Sequence, residues 1–471
     1  MDNLEENIRQ LVRETLNELN ITKENNYQSN RIGIFPTINQ AVEAAEIAFR
    51  ELGKLSLEVR RDIIANIRKA AKENVVMISK MAHEETGMGR WEDKVIKNKL
   101  AIDKTPGVED VTPEAFSDDH GLTLVERAPH GVVGSISPST NPTATIISNC
   151  IGMIAAGNSV VFNTHPAAKK VSAQVISILN KAIVDAGGPR NLITTVENPT
   201  IESAQQMMSH PKIALLVVTG GPAVVKVAMS TPKKTIAAGP GNPPCVVDET
   251  ADIVKAGKDI VAGASFDNNI ICICEKETIV VDSVADALKT EMQKNGAYLL
   301  TQEQVRQLTD LVISDPGRPS HEGAPNKKFV GKNASFIAAA IGLNVPESTR
   351  LLLCEVDENH PLVWTEQLMP VMPLVRVSNV NDAIDLAVHC EHGFRHTAIM
   401  HSLNIAKLSK MAKAMNCSLF VKNGPSYAGL GKGGAGFTSF TIASPTGEGL
   451  TRAKTFTRER RCTLVDYFRI I

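Results

Sequence analysis

From residue 131 onward, short apolar runs alternate with stretches whose apolar positions recur at helical spacing. Val132 to Ile136, Ser159 to Phe162, Leu192 to Val196 and Ile213 to Val218 read as strands. Ser148 to Ala156, Val171 to Ala186 and Ile201 to Ser209 carry the 3.6-residue period of helices. Gly157 stops the first and Gly187-Gly188-Pro189 the second. A second alternation starts near Pro244. Its strands are Cys245 to Val247, Thr278 to Val281, Leu374 to Val377 and Thr397 to His401. Its helices are Ala251 to Ala264, Val284 to Gln293 and Val380 to Val388. Strand–helix alternation of this length predicts an α/β fold with parallel, doubly wound sheets. Residues 38 to 100 are helical in character, and residues 311 to 335 are looser and charged, as in a surface excursion.

Three segments stand outside this alternation. Leu4, Ile8, Leu11, Val12, Leu16 and Leu19 form one apolar face opposite Glu5, Glu6, Arg9, Arg13, Glu14 and Glu18. This predicts an amphipathic helix over residues 1 to 20, and the polar stretch Thr22 to Asn30 reads as a linker. The helix either docks on the core as an ordinary first helix or serves as a detachable docking element. Gly121 to Arg127 and Cys462 to Ile471 alternate like strands. A terminal strand this apolar predicts pairing, including with another subunit.

Composition narrows the chemistry. Fifty basic residues against 51 acidic ones leave no strong field, which argues against nucleic acid as the partner. No apolar run reaches bilayer length, and the N-terminus lacks a secretory pattern, so the expectation is a cytoplasmic protein without a membrane segment. Eight scattered cysteines suggest reduced thiols.

Candidate chemistry clusters in a few turns. Thr219-Gly220-Gly221-Pro222 joins a strand to the helix Ala223 to Met229, a place where backbone N–H groups can face a phosphate or where glycine serves geometry alone. Gly429, Gly431 and Gly434 spell G-x-G-x-x-G, but Phe437 to Ile442 after them looks like strand, so the motif reads as a loop rather than a dinucleotide fingerprint. Asn141, between Pro138 and Pro142, is either an oxyanion donor or an Asx-type turn. Cys272 and Cys274 follow the polar Asp267-Asn268-Asn269. In an extended segment both point to one face, so spacing does not choose between them, and Cys272 is preferred for lying nearer the polar bend. A C-x-C metal site lacks neighbouring ligands, so no metal is expected. His165, His396 and His401 sit in or beside strand-like segments and read as structural. From Thr219 to Val247 there is no Asp or Glu.

Together these elements resemble the aldehyde dehydrogenase superfamily over residues 33 to 471. The Asn141 loop, the Gly220-Gly221 turn, Cys272 and Glu366-Gln-Leu-Met-Pro-Val occur in the family's order. Glu84 to Gly89, Pro138 to Pro142, Gly241-Asn-Pro-Pro, Ser265 to Asn269, Phe420 to Gly424 and Pro445 to Gly449 resemble its CoA-acylating branch, the acetaldehyde and propionaldehyde dehydrogenases of bacterial microcompartments. Asn268 to Cys272 and Val465 to Ile470 look most like the ethanolamine-utilisation members.

The resemblance implies an aldehyde dehydrogenase-like fold in several parts. The cofactor domain spans residues 33–115 and 131–242, and the catalytic domain spans 243–440. A small β oligomerisation element comprises 116–130 and 441–471, which implies a homo-oligomer. Cys272 is then the nucleophile, and Asn141 with the Cys272 N–H forms the oxyanion hole. Gly220, Gly221, Asn163, His165 and Pro166 lie where the family holds NAD, and Glu366 is its carboxylate for the nicotinamide ribose. Hydrolytic members carry a glutamate where this chain has Ala237. Its loss implies a thioester kept for CoA, as co-substrate, rather than for water. Residues 1–20 resemble the targeting helices of microcompartment cargo, with residues 21–32 as linker, which implies shell or cargo partners and a place inside such a compartment. A hydrolytic dehydrogenase and an inactive scaffold are the remaining alternatives. A bifunctional aldehyde–alcohol enzyme would need a further domain for which the chain has no room.

Overall fold

The structure, a computed structural model, describes residues 32–471. The helix expected over residues 1–20 and the linker after it, up to residue 31, lie outside the described residues. Two parallel sheets organise the rest. The first runs in the order Ile34–Phe35, Ile193–Val196, Ser159–Thr164, Val132–Ser137, Ile213–Thr219 and Thr235–Ala238. Every pairing in it is parallel. After the edge strand Ile34–Phe35, the chain re-enters this sheet near its centre at Val132, winds outward to one side, then returns to the other. The switch point falls beside Val132–Ser137, and in such sheets ligands bind outside the carboxyl ends of the strands there.

The second sheet has seven parallel strands: Ala297–Leu299, Leu351–Val356, Val371–Val377, Glu277–Val281, Pro244–Val247, Thr397–His401 and Leu419–Lys422. Both sheets are buried on both faces, which explains their near-continuous apolar runs. Val132–Ser137, Ser159–Thr164 and Glu277–Val281 are buried at every position.

A third sheet is antiparallel: Glu114–Asp118, Gly121–Pro129 and Thr457–Val465. The two strand-like segments that stood outside the alternation therefore pair with each other. The segment before Thr457 belongs elsewhere, because Ala453 and Phe456 are buried in the core around the first sheet. Tyr467, Phe468, Ile470 and Ile471 remain exposed beyond the last strand.

Several expectations needed correction. The helix expected from Ser148 begins at Pro142, because proline at the first helical position needs no N–H partner and carries a preset φ. All of its residues are buried, so no polar face marks it in the sequence. Residues 311 to 335 are no simple excursion: Val312 and Phe329 pack with Val305, Leu308 and Ile337 in a satellite core. Phe437 to Thr441 is not strand; only Ile442–Ala443 pairs, with Gly449–Leu450. No helix follows Gly434, in keeping with a loop.

Candidate active site

Four adjacent strands of the second sheet bring the site together at their amino ends. Glu366 precedes Val371–Val377, Cys272 precedes Glu277–Val281, Gly241 precedes Pro244–Val247 and His396 precedes Thr397–His401. Residues distant in sequence thus become neighbours through parallel register, with Glu277 opposite Pro244, Thr278 opposite Leu374 and Cys245 opposite Ile399. A Cβ added to Gly241 would lie 2.9 Å from the Cys272 carbonyl oxygen and 2.9 Å from His396 Cγ. The Gly241 N–H donates to Glu366 Oε1 at 3.4 Å.

The cysteine segment is a turn, not the extended run assumed from its spacing. Asp267, Asn268 and Asn269 all take left-handed φ values, 49°, 53° and 66°. Three such non-glycine residues in a row store strain that the surroundings must offset. Asn269 Nδ2 donates to Ala264 O at 2.7 Å and to Glu275 O at 2.9 Å, and Asn268 Nδ2 donates to Asn333 Oδ1 at 2.8 Å. The fully buried Lys276 donates to Asn269 O at 3.0 Å and also to Asn269 Oδ1. The turn separates the two thiols. Cys274 is fully buried, with Sγ 3.9 Å from Phe266 O, whereas Cys272 is only half-buried. Burial pushes the Cys272 thiol up to about 12; Glu366 adds to this, and Lys276 and Lys97 oppose it. Burial likewise holds the Glu366 carboxyl up at about 7.

Asn141 stands at the start of the buried helix Pro142–Ala155 and makes no side-chain cap, so the Asx-type turn is not what the chain adopts. Its Oδ1 accepts from Lys97 Nζ at 2.6 Å. Its amide nitrogen lies at the positive end of the helix dipole, where developing negative charge is stabilised.

Two groups at the site were given no chemical role from the sequence: Lys97 was not singled out, and His396 was read as structural. Lys97, on the helix Trp91–Lys104, ion-pairs with Asp267, and Lys94 reaches the same carboxylate at 3.1 Å. The second is His396. It is fully buried, its Nδ1 lies 2.8 Å from Thr397 Oγ1, and its Nε2 has no partner. Burial pushes its pKa down to about 4, with Lys276 adding to the effect, so the ring is neutral near pH 7.

The residues expected from the sequence to hold a dinucleotide lie at the carboxyl ends of the first sheet, apart from Glu366. The exposed Gly221 caps Pro222–Met229, and a Cβ there would meet nothing within 4 Å, so the helix N-terminus is open to a phosphate. His165 and Pro166 are exposed at the end of Ser159–Thr164, with His165 Nδ1 accepting from Ala167 N at 3.1 Å. Asn163 is wired inward instead. It accepts from Ser203 Oγ at 2.6 Å and donates to Thr200 O at 3.4 Å, which leaves it the task of supporting this edge. Among the described residues no group of three or more His, Cys, Asp or Glu is placed to hold a metal ion.

Residues 35–440 match the Aldehyde dehydrogenase family. The chain belongs to that family. It is 52% identical over 468 residues to the acetylating acetaldehyde dehydrogenase EutE of Escherichia coli K12, covering 99% of this chain and 100% of that one. Among solved structures, the propionaldehyde dehydrogenase of Rhodopseudomonas palustris, with CoA bound and a cysteine acylated, is 52% identical with a TM-score of 0.89, covering 92% of this chain and 98% of that one. A propionaldehyde dehydrogenase from the fucose-utilisation microcompartment of Clostridium phytofermentans is 47% identical with a TM-score of 0.90, covering 93% of this chain and 100% of that one. Structures of that enzyme include variants in which a cysteine and a histidine are each replaced by alanine. The first of these relatives is an acetylating enzyme and the second carries CoA and an acylated cysteine, and the fold expected from the sequence is the one these relatives share.

Proposed function

We propose that this protein oxidises acetaldehyde to acetyl-CoA, with NAD as electron acceptor, through a thioester on Cys272. The observation that carries the reading is the juxtaposition of a half-buried cysteine with Gly241, Glu366 and a neutral His396, whose Nε2 has no partner, at the amino ends of one sheet. No carboxylate lies in the segment from Thr219 to Val247. Ala237, where hydrolytic members keep a glutamate, is fully buried, and its N–H donates to Thr446 Oγ1 at 3.1 Å.

The steps follow from the groups present. The Cys272 thiol passes its proton to solvent water, and the thiolate adds to the aldehyde carbon. The oxyanion so formed takes hydrogen bonds from the Asn141 amide and the Cys272 N–H. A nicotinamide dinucleotide, when bound along Gly220, Gly221, His165 and Glu366, supplies the hydride acceptor. Collapse leaves acyl-Cys272. His396 takes the proton of the CoA thiol, and the resulting thiolate displaces Cys272 to give acyl-CoA. Without a base trained on water, the thioester outlasts hydrolysis; a thiol needs less activation. NAD is preferred to NADP because His165 is neutral and Lys169 is engaged with Asn198 at 2.9 Å.

Propionaldehyde is the second reading, favoured by the names of the structural neighbours. Rates with C2 and C3 aldehydes, NAD and NADP, each with and without CoA, separate these readings. Acid release that ignores CoA would overturn the proposal. Residues 1–20 are proposed to dock the enzyme on a microcompartment shell or cargo protein. Their removal should leave activity intact and abolish co-purification with shells; unchanged encapsulation would contradict this. The third sheet, with its exposed apolar end, supports a homo-oligomer.

A further inference from the structure

We infer that Lys97 is a positioning residue: it fixes which end of the Asn141 amide faces the reacting carbonyl and, through Asp267, ties that amide to the loop that carries Cys272. This rests on the roles of Cys272 and Asn141 given above.

An asparagine amide has one shape and two polarities. Only its NH₂ end can serve an oxyanion; its oxygen in that place would repel one. A lysine ammonium carries three donors and no acceptor, so the group facing it must be the amide oxygen. Lys97 Nζ lies 2.6 Å from Asn141 Oδ1, and both side chains are buried, at 2% and 8% exposure. The nitrogen is thereby turned the other way, where its one resting partner is Thr140 Oγ1 at 3.3 Å, a long contact that leaves a second N–H free.

Lys97 is itself held. Its ammonium pairs with Asp267, which is fully buried. That carboxylate also accepts the Arg90 N–H at 2.7 Å and meets Lys94 at 3.1 Å, while the Asp267 N–H donates to Asp93 Oδ2 at 3.0 Å. Asp267 lies five positions before Cys272 in the strained turn. Lys97 therefore ties the helix that presents Asn141 to the loop that presents the thiol. Its helix places Lys94 and Lys97 one turn apart on the same face.

The charges facing Cys272 come from three elements: Glu366 from the loop before Val371, Lys276 from the start of Glu277–Val281, and Lys97. Lys276 is committed to the carbonyls of Asn269 and Ile271. Lys97 is the cation that touches the oxyanion donor as well, so one ammonium serves both the thiolate and the alkoxide that replaces it.

The test compares Lys97→Met with Lys94→Met. Both lysines are equally buried and share Asp267, but Lys94 makes no bond to Asn141. Lys97→Met should lower kcat about 100-fold, the scale of losing an oxyanion donor, with little change in KM for the aldehyde. Iodoacetamide labelling of Cys272, run without aldehyde, NAD or CoA, should shift to higher pH. Lys94→Met should stay within about threefold of wild type and keep the labelling profile. Where Lys97→Met does not fold, Lys97→Gln decides, since it keeps a donor but no charge and must still shift the profile upward. An unshifted profile, kcat within about threefold of wild type for Lys97→Met, or equal losses in both lysine variants would overturn the inference. Label mapping to a cysteine other than Cys272 would instead overturn the assigned nucleophile.

Discussion

Gly241→Ala tests whether the amino edge of the second sheet is as tightly built as its geometry implies. Gly241 does not use a positive φ, so alanine is barred by space and not by backbone conformation. The new methyl would sit 2.9 Å from a backbone carbonyl, that of Cys272, and 2.9 Å from the His396 ring, whereas ordinary contacts begin near 3.4 Å. Relief requires a shift of about 0.5 Å in both neighbours, and neither is the free end of a flexible side chain. Overpacking of this kind costs about 1–3 kcal/mol of stability. Its effect on chemistry is larger in proportion, because displacements of this order misalign reacting atoms and cost up to about 100-fold in rate. The NADH burst reports formation of the thioester, and steady-state acyl-CoA formation reports its transfer. Both should fall by ten- to a hundredfold, roughly, with transfer hit harder because His396 is displaced as well. A variant that folds like wild type and keeps both rates within about threefold would refute the claim that Gly241 holds Cys272 and His396 in register.

Other predictions rest on burial. Cys274→Ser should keep acylating activity and lose about 1 kcal/mol of stability by denaturant unfolding, since a hydroxyl replaces a thiol in an apolar core; loss of activity with intact folding would contradict the ordering of the two thiols. His401 is buried, with its pKa pushed down to about 4 by burial and by Lys255, against Asp252. Between pH 6.5 and 4 the unfolded chain binds a proton there that the folded chain refuses, so this contribution is full above pH 6.5 and is lost on acidification. The unfolding free energy of wild type, from urea titrations, should therefore fall more steeply over that window than that of His401→Gln, by at most about 3 kcal/mol. Parallel free energies would remove His401 from the acid response.

Most central strands of both sheets were legible because each is a short apolar run closed by turn residues, and Ile201 to Ser209 and Thr397 to His401 were placed to the residue; the strands Ile34–Phe35, Thr235–Ala238, Ala297–Leu299, Leu351–Val356 and Leu419–Lys422 were not singled out. Spacing alone did not separate the two thiols, because it describes an extended chain and the left-handed turn at Asp267 to Asn269 has no periodic signature; the preference for Cys272 came from its place beside the polar bend. Asn141 was visible as a residue but not as a helix start, since the helix after it is buried all round and lacks a polar stripe. Lys97 was not singled out, and His396 was read as structural, for a different reason. Lys97 meets Asp267 across 170 positions of sequence, and His396 meets the Gly241 loop only through parallel register, so both contacts exist only once the sheets have formed. The missing carboxylate near Ala237 was the reverse case, an absence that sequence shows at once.

The central claim is that Cys272 carries a thioester that waits for CoA. The direct measurement is mass spectrometry of the protein after exposure to acetaldehyde and NAD with CoA withheld, followed by addition of CoA. The account predicts an acetyl group on the peptide bearing Cys272, stable until CoA is added and then recovered as acetyl-CoA. An acetyl group on Cys274, or its release as acetate before CoA arrives, would contradict it.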